Sequence, residues 1–374
     1  MAFAKPAEFE SNCQKMADDW TPPGTLHEVI HATDGNYEIW SGRLDDPAIK
    51  QLNRRIQILI PLFIEGGSYI DKPNDEEEEM VDADRWTLYF LYKKQPAADD
   101  ASKSTYTFVG YSSLYSFFHF APPSPPPSPG SDWELPQGEF KLSALPCRTR
   151  LSQFLILPPF QGQGNGHRLY QSIFKHYLNH KETLEFPVEN PNEAFDDLRD
   201  VCDLLFLRSQ PDFQVLRLEA EPPLSRSGRL PSVVTGTQDL EALRRKYKIA
   251  RRQFERVLEM HLMAQLPESI RPQIELEVEP KAATKQDRQI QRKWELMVKQ
   301  RLYRHNKEAL ADVDTSTRAE KLHETLKGIE LDYARLLAAY ESAKKHAAKA
   351  TSNGKRKLDD SDGSQSSKKA RVDE

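Results

Sequence analysis

The sequence predicts an α/β core followed by a mostly helical C-terminal region and a disordered tail. Residues 149–207 read in the order strand, loop, helix, strand, helix, which is typical of an α/β core. Residues 240–258 and 316–345 place apolar side chains at helical spacing. Residues 346–374 are almost without apolar side chains, which predicts disorder.

The N-terminal part of the core predicts strands on either side of a helix. Residues 37–40 are typical of a short strand, and residues 46–63 have apolar side chains at helical spacing. Residues 86–93 and 105–111 are rich in aromatic and β-branched residues, so they predict two paired strands. The apolar character of the second strand continues to Phe120.

Two polar segments interrupt this core. Residues 75–79 predict a solvated acidic loop. Residues 121–130, APPSPPPSPG, cannot join a sheet because proline lacks the amide donor. They predict an exposed spacer within an insertion that reaches residue 147, and a proline-rich segment of this kind also suits SH3 or WW modules.

The centre of the chain predicts a strand at 149–157, the loop QGQGNG, a helix at 164–179 and a strand at 184–189. A further helix is expected from Asn192 to about Leu207. The predicted buried stripe of the first helix is Leu169, Ile173 and Tyr177.

Composition excludes several classes of protein. The net charge of −5 does not favour a dedicated nucleic-acid-binding protein, and we expect no sequence-specific contact with nucleic acid. The three cysteines are far apart, so neither a disulfide framework nor a metal site is expected. No apolar run approaches the ~18 residues that cross a bilayer, and we expect no membrane association.

The glycine-spaced loop predicts an anion site. Glycine allows close backbone approach and positive φ, and amides at a helix N-terminus attract phosphate. The loop lacks the Gly-Lys-Ser/Thr of a nucleoside triphosphate site, and its spacing departs from the dinucleotide-binding pattern G-x-G-x-x-G. A diphosphate fits the loop, with Arg168 adding charge; a glycine-rich turn without a ligand remains the alternative.

The same residues resemble a known superfamily. Gln161, Gly164 and Gly166 fill the pattern Q/R-x-x-G-x-G/A of the acetyl-CoA loop in GCN5-related N-acetyltransferases. More narrowly, SQFLILPPFQGQGNG and VENPNEAFDDLRD resemble the catalytic subunits of type B histone acetyltransferases. GTLHEV, FIEGGSYID and DRWTLYFLY are similar to that family as well. The implied fold is a mixed sheet flanked by helices, with a helical C-terminal domain.

The resemblance implies acetyl-CoA as cosubstrate and a division into four parts. These are a partial N-terminal segment (1–23), an acetyltransferase core (24–208), a helical domain (209–345) and the tail (346–374). The family's folded N-terminal domain is expected to be missing. The residues implied to bind the cosubstrate are Phe154, Leu155, Ile156, Gln161, Gly162, Gln163, Gly164, Asn165, Gly166, His167 and Asn192.

The resemblance also implies catalytic and substrate residues. Glu189 corresponds to the family's general base and Glu65 to a supporting acid. Asn190 stands where the family has an aspartate, and an amide cannot carry that charge. The amide of Leu155 is a predicted oxyanion donor. Contacts to the histone tail are implied for Trp86, Tyr115, Ser116 and Phe117.

Two alternatives to histone H4 acetylation stay open at this point. One is acetylation of another protein or a small amine; the other is a non-catalytic scaffold that binds histones or nucleic acid. The scaffold would use the basic residues Arg244, Arg245, Lys246, Lys248, Arg251 and Arg252. Expected partners are histones H4 and H3 and a WD-repeat histone chaperone. Basic clusters at 355–357 and 368–371 predict nuclear import, so nucleus and cytoplasm are the expected locations.

Overall fold

The computed structural model describes residues 20–71, 80–97, 102–119, 145–224, 234–237, 239–274 and 282–362. The acidic run at 75–79, most of the proline-rich insertion and the basic cluster at 368–371 lie outside these residues. The described residues form two compact units. The first extends to Asn192 and also includes Arg245–Ala250, and the second contains the remainder.

A six-stranded mixed sheet forms the first unit, with the strands side by side in sequence order. Its first five strands pair antiparallel, and the sixth pairs parallel to the fifth. The predicted pairing of 86–93 with 105–111 is therefore confirmed, and the strands predicted at 149–157 and 184–189 lie side by side. The strands are β1 (Thr25–Ala32), β2 (Gly35–Arg43), β3 (Trp86–Pro96), β4 (Ser104–Phe118), β5 (Cys147–Ile156) and β6 (Thr183–Glu185).

The predicted helix at 46–63 is divided in two. Helix α1 (Pro47–Ile56) begins at Asp46, whose side chain accepts hydrogen bonds from two backbone amides of the first turn. A 3₁₀ turn separates it from α2 (Ile60–Phe63). Pro61 explains the break, because proline has no amide to donate to the carbonyl four residues earlier.

Helix α3 (Asn165–Asn179) covers the sheet next to β5. The predicted stripe of Leu169, Ile173 and Tyr177 is buried, as expected from its spacing. The strand predicted at 184–189 is shorter than expected, since regular pairing ends at Glu185 and continues as a single bridge between Leu151 and Val188. Pro187 accounts for this, because it cannot donate to a ladder.

The segment Arg245–Ala250 contacts the residues that follow β6, at Phe186. Its Lys248 carbonyl accepts from the Phe186 amide at 2.7 Å, and Ile249 bridges Phe186. The Lys248 ammonium donates to the carbonyls of Tyr177 and His180, at 3.2 and 2.6 Å, at the C-terminal end of α3. Lys248 is thus not part of an exposed basic face, because the last carbonyls of a helix attract a cation.

The second unit is mostly helical, as predicted. In the first of these helices, Asp200 accepts hydrogen bonds from Gln253 and Arg256. Residues 193–208 therefore group with the second unit, whereas the predicted boundary placed them with the sheet. The helices are α4 (Glu193–Arg208), α5 (Pro211–Gln214), α6 (Leu240–Lys246), α7 (Arg251–Ala264), α8 (Lys285–His305) and α9 (Thr315–Asp362). A short pair of strands, β7 (Arg217–Leu218) and β8 (Val234–Thr235), accompanies them.

Two of these helices differ from the sequence expectation. The stripe at 240–258 predicted one helix, but the chain turns between α6 and α7, where Lys248 has a φ of +55°. Helix α9 continues to Asp362, past the predicted start of the tail at residue 346. Residues 343–350, AKKHAAKA, are strong helix formers, and such residues can extend a helix without burying an apolar face.

A buried polar network joins helices α7, α8 and α9. The Glu259 carboxylate accepts from Arg301 at 2.8 Å and from the Tyr333 hydroxyl at 2.9 Å. The Trp294 indole donates to the Glu259 carbonyl at 2.9 Å. Burial raises the pKa of Glu259, while the Arg301 bonds oppose that shift.

Within the described residues, no helix is both long enough and apolar enough to span a membrane.

Stability of the second unit should fall as the pH drops below about 6.5. Burial and then the nearby charge of Arg208 lower the pKa of His261 to about 4. The unfolded chain, with an ordinary histidine near pH 6.5, therefore binds the proton first, and folding loses about 3 kcal/mol between these two values. Guanidinium unfolding at several pH values should show this loss, and His261→Gln should reduce it. An unchanged pH dependence in the variant would contradict the assignment.

Candidate active site

The glycine loop, residues 161–167, has a backbone that suits an anion. Gly162 and Gly164 have φ of +71° and +78°, in the left-handed region that other residues rarely adopt. A Cβ at Gly162 would meet no atom within 4 Å, so glycine is required by conformation and not by space. Gly164 is the N-cap of α3, and no side chain among the described residues caps that first turn. Its amides can therefore bind a ligand.

The loop's own side chains hold its shape. The Gln161 amide donates to the Ile156 carbonyl at 2.7 Å, and the Asn165 amide donates to the Phe160 carbonyl at 2.9 Å. Gln163 donates to the carbonyl four residues earlier at 2.9 Å. These predicted cosubstrate residues are thus brought together as a preformed loop, in which backbone amides and not side-chain amides are available to phosphate.

The structure corrects the role expected of Arg168. Its guanidinium donates to Asp34 at 2.8 Å and to the Asn165 side chain at 2.7 Å, and it lies 4.6 Å from the centre of the Tyr37 ring. Its charge therefore ties the start of α3 to the β1–β2 turn. Burial, followed by the charge of Arg168, lowers the pKa of His167, so this imidazole is neutral at pH 7.

Strand β5 has one edge that opens beside the glycine loop. Its Leu151 amide donates to the Pro187 carbonyl, and its Leu151 carbonyl accepts from the Glu189 amide, both at 2.9 Å. Beyond Leu151, no described strand pairs with this edge, although β4 still pairs with the other edge up to Ile156. The two parallel chains therefore separate after Glu189, leaving a groove along residues 152–156.

The direction of the amides along this groove differs from the expectation. The Leu157 amide donates to the Val109 carbonyl at 2.9 Å, so alternation along the ladder turns Leu155 toward β4. The Leu155 side chain is buried in the core of the sheet. Phe154 and Ile156, on the alternate positions, direct their backbone groups toward the open edge. Leu155 is thus misplaced as the oxyanion donor, because a bulge opposite Ser113 and Leu114 shifts the alternation.

Glu189 lies where the two chains separate. One carboxylate oxygen, Oε2, accepts from the Ser152 hydroxyl at 2.5 Å and contacts the Arg150 guanidinium at 3.1 Å. The other oxygen, Oε1, has no hydrogen-bond partner among the described residues. The side chain is 36% exposed, so a substrate can reach Oε1.

The second predicted acid, Glu65, does not contact Glu189. It is exposed in the turn after α2, and its carboxylate makes no bond to the described residues. Its loop does reach the groove, because the Gln153 amide donates to the Ser68 carbonyl at 2.8 Å. Asn190 is exposed with a φ of +36°, a conformation that asparagine tolerates better than most residues. Asn192 is exposed just before α4.

Three of the four predicted substrate residues form an aromatic row, defined as Trp86, Tyr115 and Phe117. Ring centres lie 4.9 Å apart for the first pair and 4.5 Å apart for the second. Arg150 lies 4.6 Å from the centre of the Phe117 ring and links the row to Glu189. Ser116 alternates with its neighbours, so its side chain projects from the opposite face of the sheet.

Comparisons with known proteins decide the family. A model described as "Histone acetyl transferase HAT1 N-terminus" matches residues 1–65, and one described as "Fungal HAT1, C-terminal" matches residues 235–266. A "Histone acetyltransferase type B catalytic subunit" of Gibberella zeae is 53% identical over 100% of this chain and 79% of its own length. The chain belongs to the family of type B histone acetyltransferase catalytic subunits.

Other family members agree with this assignment. The subunits of the same name from Neurospora crassa and Pyricularia oryzae are 43% and 46% identical over 100% of this chain and 80% and 79% of their own lengths. The match at residues 1–65 indicates that part of the family's N-terminal region is present. A solved aminoglycoside acetyltransferase from a soil metagenome shares 13% identity over 52% of this chain, with a TM-score of 0.24, and is too distant to bear on function.

The histone acetyltransferase family thus supports the predicted enzyme class, and its chemistry requires acetyl-CoA as cosubstrate. Within the part of the chain that the structure describes, no group of three or more His, Cys, Asp or Glu side chains could hold a metal ion. Sequence reasoning missed Arg150 and Ser152, which touch Glu189. Their alternation with the buried Leu151 near the start of the predicted strand was the signal that could have found them.

Replacing Gly164 with alanine should weaken acetyl-CoA binding. The left-handed backbone at this position costs a non-glycine residue about 1 kcal/mol, so the loop should shift and the dissociation constant should rise about fivefold to tenfold. Titration calorimetry measures the change. Gly328→Ala is the matched control, because a Cβ there meets no atom within 4 Å and its φ is not positive. Equal affinity for Gly164→Ala and the control would contradict the assigned role of the loop.

Proposed function

We propose that this chain transfers the acetyl group of acetyl-CoA to a lysine in the N-terminal tail of free, newly synthesised histone H4. The observation that carries the proposal is the Glu189 carboxylate at the head of the open β5 edge, with Oε2 fixed and Oε1 accessible. The names of the protein's relatives support histone acetyl transfer. The glycine loop at the other end of the same edge supports a cosubstrate that carries phosphate.

The cosubstrate lies along one line in this proposal. Amides of the glycine loop bind the pyrophosphate, and the open edge of β5 bonds the pantetheine arm through the backbone groups of Phe154 and Ile156. The thioester then lies near Leu151, where the chains separate. His167, in the first turn of α3, and Asn192, just before α4, also contact the cosubstrate. An extended arm suits this edge because its amide groups can pair with a strand edge as another strand would.

The reaction is a direct transfer. A lysine amine, with an ordinary pKa near 10.4, attacks the thioester only after it has lost a proton. Glu189 Oε1 accepts that proton, and the neutral amine then forms the N–C bond, while the second proton of the nitrogen passes to the leaving CoA sulfur. The Phe154 amide, nearer to Glu189 on the open edge than Ile156, donates to the developing oxyanion. The C–S bond then breaks, and CoA leaves as a thiolate whose conjugate acid has a pKa near 8.5.

The substrate tail contacts the aromatic row in this proposal. Phe117 is 40% exposed, and an aromatic face attracts the cationic side chains in which histone tails are rich. Glu65 contributes through its exposed loop, as a charge for the tail and not as a second base. Ser116 contributes its backbone, because its side chain lies on the other face. Asn190 orients the turn that follows Glu189.

Partners and location remain proposals from the family resemblance. We propose that histone H4 is met together with histone H3 and with a WD-repeat histone chaperone, in the nucleus and cytoplasm. The non-catalytic scaffold gains little support, since Arg244 and Arg251 of its basic face pair with Glu241 and Glu255. Acetylation of a small amine or of another protein is an outcome of the test below.

Replacing Glu189 with glutamine should lower kcat/KM for CoA release by about 100-fold or more, because glutamine cannot accept the proton. The assay uses acetyl-CoA with a histone H4 tail peptide. Glu185→Gln is the matched control, because Glu185 lies in the same segment of the chain as Glu189 but pairs with Arg148. The control should retain activity.

Three results would count against the proposal. An unchanged rate for Glu189→Gln would remove the base. A wild-type enzyme that acetylates small amines but not the peptide would favour the other N-acetyltransferases. Peptide binding without CoA release would favour a scaffold.

A further inference from the structure

Arg150 contacts two parts of the candidate site at once. Its guanidinium lies 3.1 Å from Glu189 Oε2 and 4.6 Å from the centre of the Phe117 ring. A guanidinium is planar and weakly hydrated, so it can pair with a carboxylate while stacking on an aromatic face. We propose that Arg150 positions Glu189 and places a fixed positive charge beside the substrate amine. This inference rests on the proposed function.

The geometry indicates positioning. Ser152 and Arg150 both engage Oε2, which fixes the carboxylate plane and leaves Oε1 for the amine. Arg150 and Glu189 are 30% and 36% exposed, and ion pairs at that exposure contribute little to stability. The pair therefore matters for the orientation and charge of the site more than for the fold.

Arg150 is not committed elsewhere. Its Nε is buried and has no hydrogen-bond partner among the described residues. A buried donor without a partner is unfavourable, so the position of the guanidinium is determined by Glu189 and Phe117 and not by a saturated network.

The fixed charge also affects the chemistry. An arginine stays protonated at every pH of interest, so it disfavours a second cation nearby. A lysine that approaches Glu189 is thereby favoured in its neutral, reactive form. Two other arginines nearby are engaged elsewhere: Arg148 of β5 pairs with Glu185, and Arg85, in the turn before β3, contacts the Tyr115 hydroxyl and the Phe118 ring.

The pH dependence of kcat/KM tests this inference. The assay measures CoA release with the histone H4 tail peptide between about pH 6 and pH 10.5, which reaches the ordinary pKa of the lysine amine near 10.4. Arg150→Met removes the charge, so the limb that reports deprotonation of the lysine amine should move up by at least ~0.5 pH unit, and kcat/KM at pH 7 should fall about tenfold. Arg150→Lys retains the charge and should keep that limb in place.

A matched control separates charge from strand packing. Arg148→Met removes an arginine at the equivalent position two residues earlier, where it pairs with Glu185, and should leave the profile unchanged. If Arg150→Met does not fold, Arg150→Gln carries the same expectation and retains a hydrogen-bond donor.

The outcomes distinguish this inference from the proposed function. A wild-type enzyme without activity on the peptide overturns the function itself. An active wild type, an inactive Glu189→Gln and an Arg150→Met profile with the lysine limb unmoved overturn the role of Arg150 alone. An equal shift in Arg148→Met also overturns it, because the effect would then belong to the strand.

Discussion

The parallel contact between Leu151 and the chain around Glu189 determines the rest of the site. Two backbone hydrogen bonds, each of 2.9 Å, hold residues 187 and 189 against β5, and pairing stops there. The last bond fixes the carboxylate of Glu189 at the head of an open strand edge. Because the same edge leads to the glycine loop, one backbone feature relates the candidate base to the candidate phosphate site.

Other parts of the first unit support this contact from behind. Pro187 ends the regular ladder, which allows the chain to leave β5 after Glu189. Lys248 bonds the Phe186 amide through its carbonyl and the end of α3 through its ammonium. Helix α3 is thus held at its C-terminal end by Lys248 and at its N-terminal end by the Arg168–Asp34 pair. The strand with the base and the helix with the loop share these supports.

The sequence predicted the elements that depend on local patterns. Alternating and helical spacing identified β3, β4, β5, α3 and the buried stripe of α3, because burial on one face leaves a direct periodic signal. The family resemblance brought Glu189, the glycine loop and the aromatic row together. The single helix expected at 46–63 is interrupted near Pro61, because hydrophobic periodicity does not register the effect of a proline.

Long-range contacts could not be read in the same way. Nothing local indicates that residues 245–250 return to the sheet, or that Lys248 caps α3 in place of facing solvent. The direction of the Leu155 amide depends on a bulge in β5, and one extra residue reverses the alternation. The pairing of Arg150 with Glu189 joins β5 to a segment that follows the next helix in the sequence.

Hydrogen–deuterium exchange with and without acetyl-CoA tests the central claim most directly, namely that the open edge of β5 and the glycine loop form one cosubstrate site. Bound acetyl-CoA should slow exchange in peptides covering residues 152–157 and 161–168 together, through the amides of Phe154 and Ile156 and those of the first turn of α3. Protection of the glycine loop without the strand edge, or of neither, would contradict the account.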